Sequence, residues 1–223
     1  MCKRFAVPNH VVAEREFMPA RSWWNFVAKF NVAPPQYVPA LRQHADESEA
    51  AMMRWGLIPS SMLEQPAGAG ILEVELDQLE CDEVFRGPWL NSQRCILPVS
   101  GFYVWHLTTE KYRQPFYIRL LGRPVFGLAA IWDRWVSEDD DVIESCSLVR
   151  VAANELMANV DNTGRSMPAI LRRKDYARWL RGTPVEAKTA LQPYAAVSME
   201  AYAVSPRVNS IAHDDLGLIQ PIH

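Results

Sequence analysis

The strongest constraint on this chain lies in two neighbouring stretches, RCILPVSGFYVWHL and PFYIRLLGRPVFGLAAIWDRW. Their β-branched and aromatic residues run in short blocks between proline and glycine breaks. Such blocks suit pleated strands better than helices. They give three strands, and Gly122-Arg123-Pro124 between the last two is expected to turn a hairpin. Eight tryptophans and sixteen prolines extend the same preference for strands, turns and aromatic packing. AAMMRWGLIPSSM reads as a strand running into a proline-ended loop, and DDDVIESCSLVRVAAN as a loop followed by a strand. ILEVELDQL alternates, which places Glu73, Glu75 and Asp77 on one face of a strand and Val74 and Leu76 on the other. The best helix is RRKDYARWLRG, with Tyr176, Trp179 and Leu180 at helical spacing and Gly182 as its stop. The sum is an α+β chain dominated by antiparallel β-sheets with peripheral helices, folded as one domain over residues 1–223.

Charge and cysteine usage narrow the function classes. A net charge of -3 argues against coating nucleic acid through bulk positive charge, and leaves room for a local basic patch. Cys2, Cys81, Cys95 and Cys146 form no CxxC pair and have no metal-ligand spacing with the histidines, so neither a metal nor another cofactor is expected. Free thiols fit a reducing compartment, and a cytoplasmic location is expected. No apolar run reaches the ~20 residues that span a bilayer, so no membrane partner is expected. The oligomeric state is left open.

Cys2 follows the initiator methionine in MCKRF. One reading treats it as an incidental small apolar residue. The other is chemical: removal of Met1 leaves an α-amine and a thiol on one residue. The amine titrates near ~8 and the thiol near ~8.5, so both nucleophiles are partly available at neutral pH. Such an aminothiol traps aldehydes, because an imine formed at the amine closes onto the thiol as a thiazolidine.

The residues that choose between these readings carry a resemblance. MCKRF resembles the MCGRF start of the SRAP family (SOS-response-associated peptidase, abasic-site processing proteins), and FNVAPPQYVPAL resembles that family's YNVAPxQxxPV stretch. RWGLIPS, RCILPVSGFYVW, PFYI, FGLAAIWDRW, RSMPAIL, VSPRVNS and LIQPI follow in the family's order across the whole chain. The resemblance implies a barrel-like β core with the N-terminal Cys in a groove that accepts single-stranded DNA. It implies that Cys2 captures the ring-opened aldehyde of an abasic site as a thiazolidine crosslink, and that Met1 is removed autoproteolytically. Cys2 is expected in a concave groove near Asn31 and Val104.

The chain also departs from the family's pattern. Val104 stands where the GFYEW motif has its acid. Glu73 and Glu75 replace the Asn and Arg of NARxET, and Arg150 replaces a threonine. DNTGRSMP (161–168) replaces HxRMP, with no His at its expected place. The resemblance therefore implies Cys2 and the retained Asn31 as catalytic residues, with His106 and Glu75 as candidate substitutes in proton transfer. Arg4, Trp55, Arg150 and Arg165 are the candidate DNA contacts, and the acids imply weakened binding to single-stranded DNA with abasic sites. Two further readings stay open: a catalytically degenerate binding module on the same fold, and a thiol peptidase acting beyond its own N-terminus. For the three acids, the bland reading is a solvated strand face.

Overall fold

The computed structural model describes residues 3–22 and 24–222. In chain order its elements are β1 (Phe5–Val7), α1 (His10–Phe17), β2 (Lys29–Val32), β3 (Tyr37–His44), β4 (Glu47–Trp55), β5 (Glu73–Glu75), α2 (Gln78–Cys81), α3 (Glu83–Leu90), β6 (Arg94–Val99) and β7 (Gly101–Leu107). They continue with β8 (Arg113–Leu120), β9 (Phe126–Val136), β10 (Val142–Ala152), α4 (Glu155–Val160), β11 (Ser166–Pro168), β12 (Ile170–Leu171), α5 (Tyr176–Arg181), α6 (Pro184–Thr189) and β13 (Met199–Ala203). No helix among the described residues is long and apolar enough to cross a membrane.

Five strands close on themselves in the order β10-β4-β3-β6-β9 and back to β10. The pairings are antiparallel except β4 with β10, which is parallel. A ring this small is filled by its own side chains. The strands that form it are also covered outside, which explains why β6 is buried along its whole length and β9 from Phe126 to Ile131. Part of that cover is a second sheet ordered β13-β8-β7-β1-β2. The barrel-like antiparallel core expected from the sequence is present.

Gly122-Arg123-Pro124 does not turn a hairpin. β8 belongs to the second sheet and β9 to the barrel, so this break carries the chain from one sheet to the other. The hairpin in this region is β9–β10, which pairs Val136 with Val142. The alternating stretch at 71–79 is also shorter as a strand than expected. β5 ends at Glu75, and exposed Asp77 stands at the N-cap position of α2 without a side-chain capping bond, so Asp77 does not share the strand face.

Several of the short helices begin at a capping side chain. Asn9 accepts from the Val12 amide at the start of α1, and Asp82 accepts from the Val84 amide at the start of α3. Thr183 and Glu186 form a capping box ahead of Pro184 in α6. The expected helix around Tyr176 is present as a 3₁₀ turn at Arg173–Asp175 followed by α5, and it stops before Gly182.

Arg94 holds the helices to the barrel. It is fully buried on β6, with Nε donating to the Trp179 carbonyl at 2.6 Å and Nη2 to Ser92 Oγ at 3.0 Å and to the Gly182 carbonyl. Its guanidinium lies 5.3 Å from the ring centre of Trp89 and 5.8 Å from that of Trp179. Burial pulls this arginine down to about 10 from its usual value. Arg94→Met would keep the volume and strand the buried carbonyls. We expect a loss of about 2–5 kcal/mol of stability, read as a lower denaturant midpoint; an unchanged midpoint would show that the helices are held by apolar packing alone.

Candidate functional site

A groove of about 740 Å³ opens where the second sheet meets the end of β10. Lys3 and Arg4 form one wall as the chain enters β1, and the Tyr103 amide donates to the Arg4 carbonyl at 3.0 Å, holding that segment beside β7. Half-exposed Trp105 on β7 and exposed Arg113 at the start of β8 continue the wall. Trp105 Nε1 donates to Asn209 Oδ1 at 2.9 Å, which fixes the indole against the groove. The opposite side holds Glu75 of β5, Arg150 of β10 and the loop from Asp161 to Ser166. Among the described lining residues, Lys3, Arg4, Arg113, Arg150 and Arg165 are basic, and Glu75 and Asp161 are acidic.

β5 runs parallel to β10 with Glu75 opposite Arg150. Glu73 falls on the same face as Glu75, so one guanidinium meets both carboxylates. Arg150 Nη1 is 3.4 Å from Glu73 Oε2 and 3.2 Å from Glu75 Oε1. The Glu73 side chain is only 7% exposed, the Arg150 side chain 13% and that of Glu75 42%. Ser166 Oγ donates to Glu75 Oε1 at 3.1 Å. The acids are therefore not a simple solvated face: Glu73 is enclosed, and both acids are engaged with Arg150. Burial lowers the Arg4 guanidinium from its usual value.

Asp161 is a site residue that the sequence reading passed over. It is 3% exposed and lines the groove. Thr163 Oγ1 donates to its Oδ1 at 3.0 Å, and the Gly164 amide donates to its carbonyl at 3.0 Å. A Cβ at Gly164 would lie 2.5 Å from Asp161 Oδ2, so the carboxylate occupies the space that a side chain at 164 would need. Aligning Met167-Pro168 with the end of HxRMP puts Gly164 at the histidine's place. Burial alone would raise this carboxyl, yet it is held below its usual value, in part by hydrogen bonds from Thr163. The signal available in the sequence was the Asp-Asn-Thr-Gly turn pattern, which marks a side chain folded back on its own loop.

The other candidates are placed as follows. Cys2 lies outside the described residues. Arg4, Glu75, Arg150 and Arg165 meet in the groove. Asn31 is 3% exposed and does not line it; Nδ2 donates to the carbonyls of Ser210 and His213 at 2.9 Å each, clasping that segment to β2. His106 also stands outside the lining, with Nδ1 3.0 Å from the Val160 carbonyl and its ring edge-on to Phe116. Trp55 is a correction. It is fully buried, packed 4.5 Å from the ring of Phe5, and its indole nitrogen donates to Leu72. It has no face to offer a nucleic acid and belongs to the core. Val104, 1% exposed, is also a core residue. Cys95 and Cys146 are buried, and burial pushes the Cys95 thiol up and away from reactivity. Among the described residues no cluster of His, Cys, Asp or Glu is arranged to hold a metal.

The abasic site processing protein YoqW of Bacillus subtilis is 31% identical over 194 residues, covering 86% of this chain and 85% of that protein. The abasic site processing protein HMCES of Gallus gallus is 25% identical and is spanned over 66% of its length. A crystal structure of a protein from Bacteroides thetaiotaomicron superposes with a TM-score of 0.77 at 26% identity, over 85% of this chain and 82% of that one. A second, from Bordetella bronchiseptica, shares the fold with a TM-score of 0.79 at 23% identity. Residues 1–211 match the family model for SOS response associated peptidase (SRAP), and the chain belongs to that family.

Proposed function

We propose that this chain processes abasic sites in single-stranded DNA. In this reading the strand lies in the groove, and Cys2, once Met1 is removed, captures the ring-opened aldehyde as a thiazolidine. The observation that carries the reading is that Lys3 and Arg4, which directly follow Cys2, line a groove holding an aromatic face and further arginines. That combination suits single-stranded nucleic acid: bases stack on an aromatic ring, for about 1–3 kcal/mol each, while cations track the phosphates. The names of YoqW and HMCES as abasic site processing proteins support the substrate.

Removal of Met1 is part of the proposal, and Val104 in place of an acid makes slow maturation the expectation. Of the candidate substitutes for that acid, Glu75 lines the groove, whereas His106 is turned to Val160. Asn31 would act by holding the Ser210–Asp214 segment against β2, beside Asn209 of the groove.

The second reading, a binding module without crosslinking activity, is favoured by the engagement of Arg150 with Glu73 and Glu75 and by the apolar Val104. The two readings separate at Cys2. With an oligonucleotide bearing one abasic site, Cys2→Ala should abolish the denaturation-resistant adduct, and Cys2→Ser should leave at most a labile imine. An adduct of undiminished stability in Cys2→Ala would sink the crosslinking reading.

The groove's charge also sets its salt response. Arg113 and Arg165 make no ion pair among the described residues, whereas Arg150 is shared by two carboxylates. Two or three phosphate contacts give a slope of log K against log salt of about -1.4 to -2.1 for single strands. Arg113→Ala and Arg165→Ala should each reduce that slope by about 0.7. A steeper slope that both substitutions leave unchanged would place the strand elsewhere on the surface.

A further inference from the structure

We propose, resting on the reading of the groove as the capture site, that Asp161 is the counter-anion of the chemistry. It positions the α-ammonium of Cys2 and stabilises the iminium cation formed on the way to the ring. Three features aim this carboxylate. It ends α4 almost fully buried yet lines the same groove as Lys3, the residue next to Cys2. Thr163 Oγ1 holds Oδ1 at 3.0 Å. Gly164 leaves open the volume that Oδ2 fills, since a Cβ there would sit 2.5 Å from that oxygen. Despite its burial the carboxyl is held below its usual value, in part by hydrogen bonds from Thr163.

The capture needs a fixed negative charge at one stage. The α-ammonium gives a proton to solvent, and the amine nitrogen adds to the aldehyde carbon. The carbinolamine hydroxyl takes a proton from solvent and leaves as water, which creates a cationic iminium. The thiol sulfur then adds to that carbon, and its proton goes to solvent. One C–N and one C–S bond form, one water leaves, and no electrons are exchanged. The described charges on the groove wall are otherwise mostly cationic, from Lys3, Arg4, Arg113, Arg150 and Arg165, and Glu75 is committed to Arg150. Cations that hold phosphates oppose an iminium. A preorganised anion in a partly enclosed site offsets that opposition without reorganising.

This role predicts opposite changes in binding and rate. The test uses protein released from a cleavable N-terminal fusion, so that Cys2 is the first residue in every variant and maturation plays no part. Binding is measured to an oligonucleotide carrying a tetrahydrofuran abasic analogue, which cannot react, and single-turnover crosslinking to one carrying a true abasic site. Asp161→Asn keeps the acceptor for Thr163 and removes the charge. It should slow crosslinking by about 10²-fold while analogue binding is unchanged or tighter, because an anion facing the phosphates is gone. Gly164→Ala should slow crosslinking by displacing the carboxylate, whereas adding Gly164→Ala to Asp161→Ala should cost nothing further, because the clash has been removed. Crosslinking by Asp161→Asn within twofold of wild type overturns the proposal. So does a parallel loss of binding and rate, or loss of folding in both Asp161→Asn and the double variant, since either assigns Asp161 to the turn alone. Wild-type protein that binds the analogue and never crosslinks would instead remove the capture reading itself, and this proposal with it.

Discussion

The closure of the barrel by β10 is the constraint on which both the core and the site depend. Residues Val142–Leu148 pair with β9, while Ser145 and Cys146 pair in parallel with β4, which seals the ring. The strand then outruns the barrel, and its last residues pair with β5 on one side and β11 on the other. Arg150 therefore stands opposite Glu75, with Pro168 as its partner on the far side and Ser166 close behind. The groove is built where a fully paired strand leaves the barrel, so its wall has the rigidity of the core.

That placement explains how the site tolerates acids where the family pattern has an asparagine and an arginine. The cation absent from β5 is present on β10, directly across the parallel pairing. Glu73 and Arg150 are mostly enclosed, and removing either partner of such a pair costs more than the pair itself contributes. Together the substitutions at 73, 75 and 150 move the local cation from β5 to β10 and leave the trio two charges more negative than Asn, Arg and Thr. The loop at 161–166 shows the same logic. Where HxRMP would place a side chain at 164, this chain has glycine, and the carboxylate of Asp161 fills the space.

The class of fold was legible because β-branched and aromatic blocks between prolines report strands locally. The hairpin at Gly122-Arg123-Pro124 was misread because a turn signal states that the chain turns and says nothing about which sheet receives the next strand. Trp55 was carried over from its place in the RWGLIPS motif, which does not record depth; it is packed against Phe5, a residue fifty positions away in the chain. Arg4, Glu75, Arg150 and Arg165 were found from motif positions. Trp105, Arg113 and Asn209 were not, because they enter the groove through pairing and loop packing that no local pattern records. Asp161 was hidden by a glycine: the sequence shows a missing histidine, and only the folded loop shows what took its space.

Covalent capture at Cys2 is tested most directly by intact mass spectrometry. The untagged protein is weighed before and after incubation with a single-stranded oligonucleotide bearing one abasic site. Capture at Cys2 requires a species lacking Met1 and a new species equal to that protein plus the oligonucleotide minus one water. Protein lacking Met1 that yields no such species after prolonged incubation would contradict it.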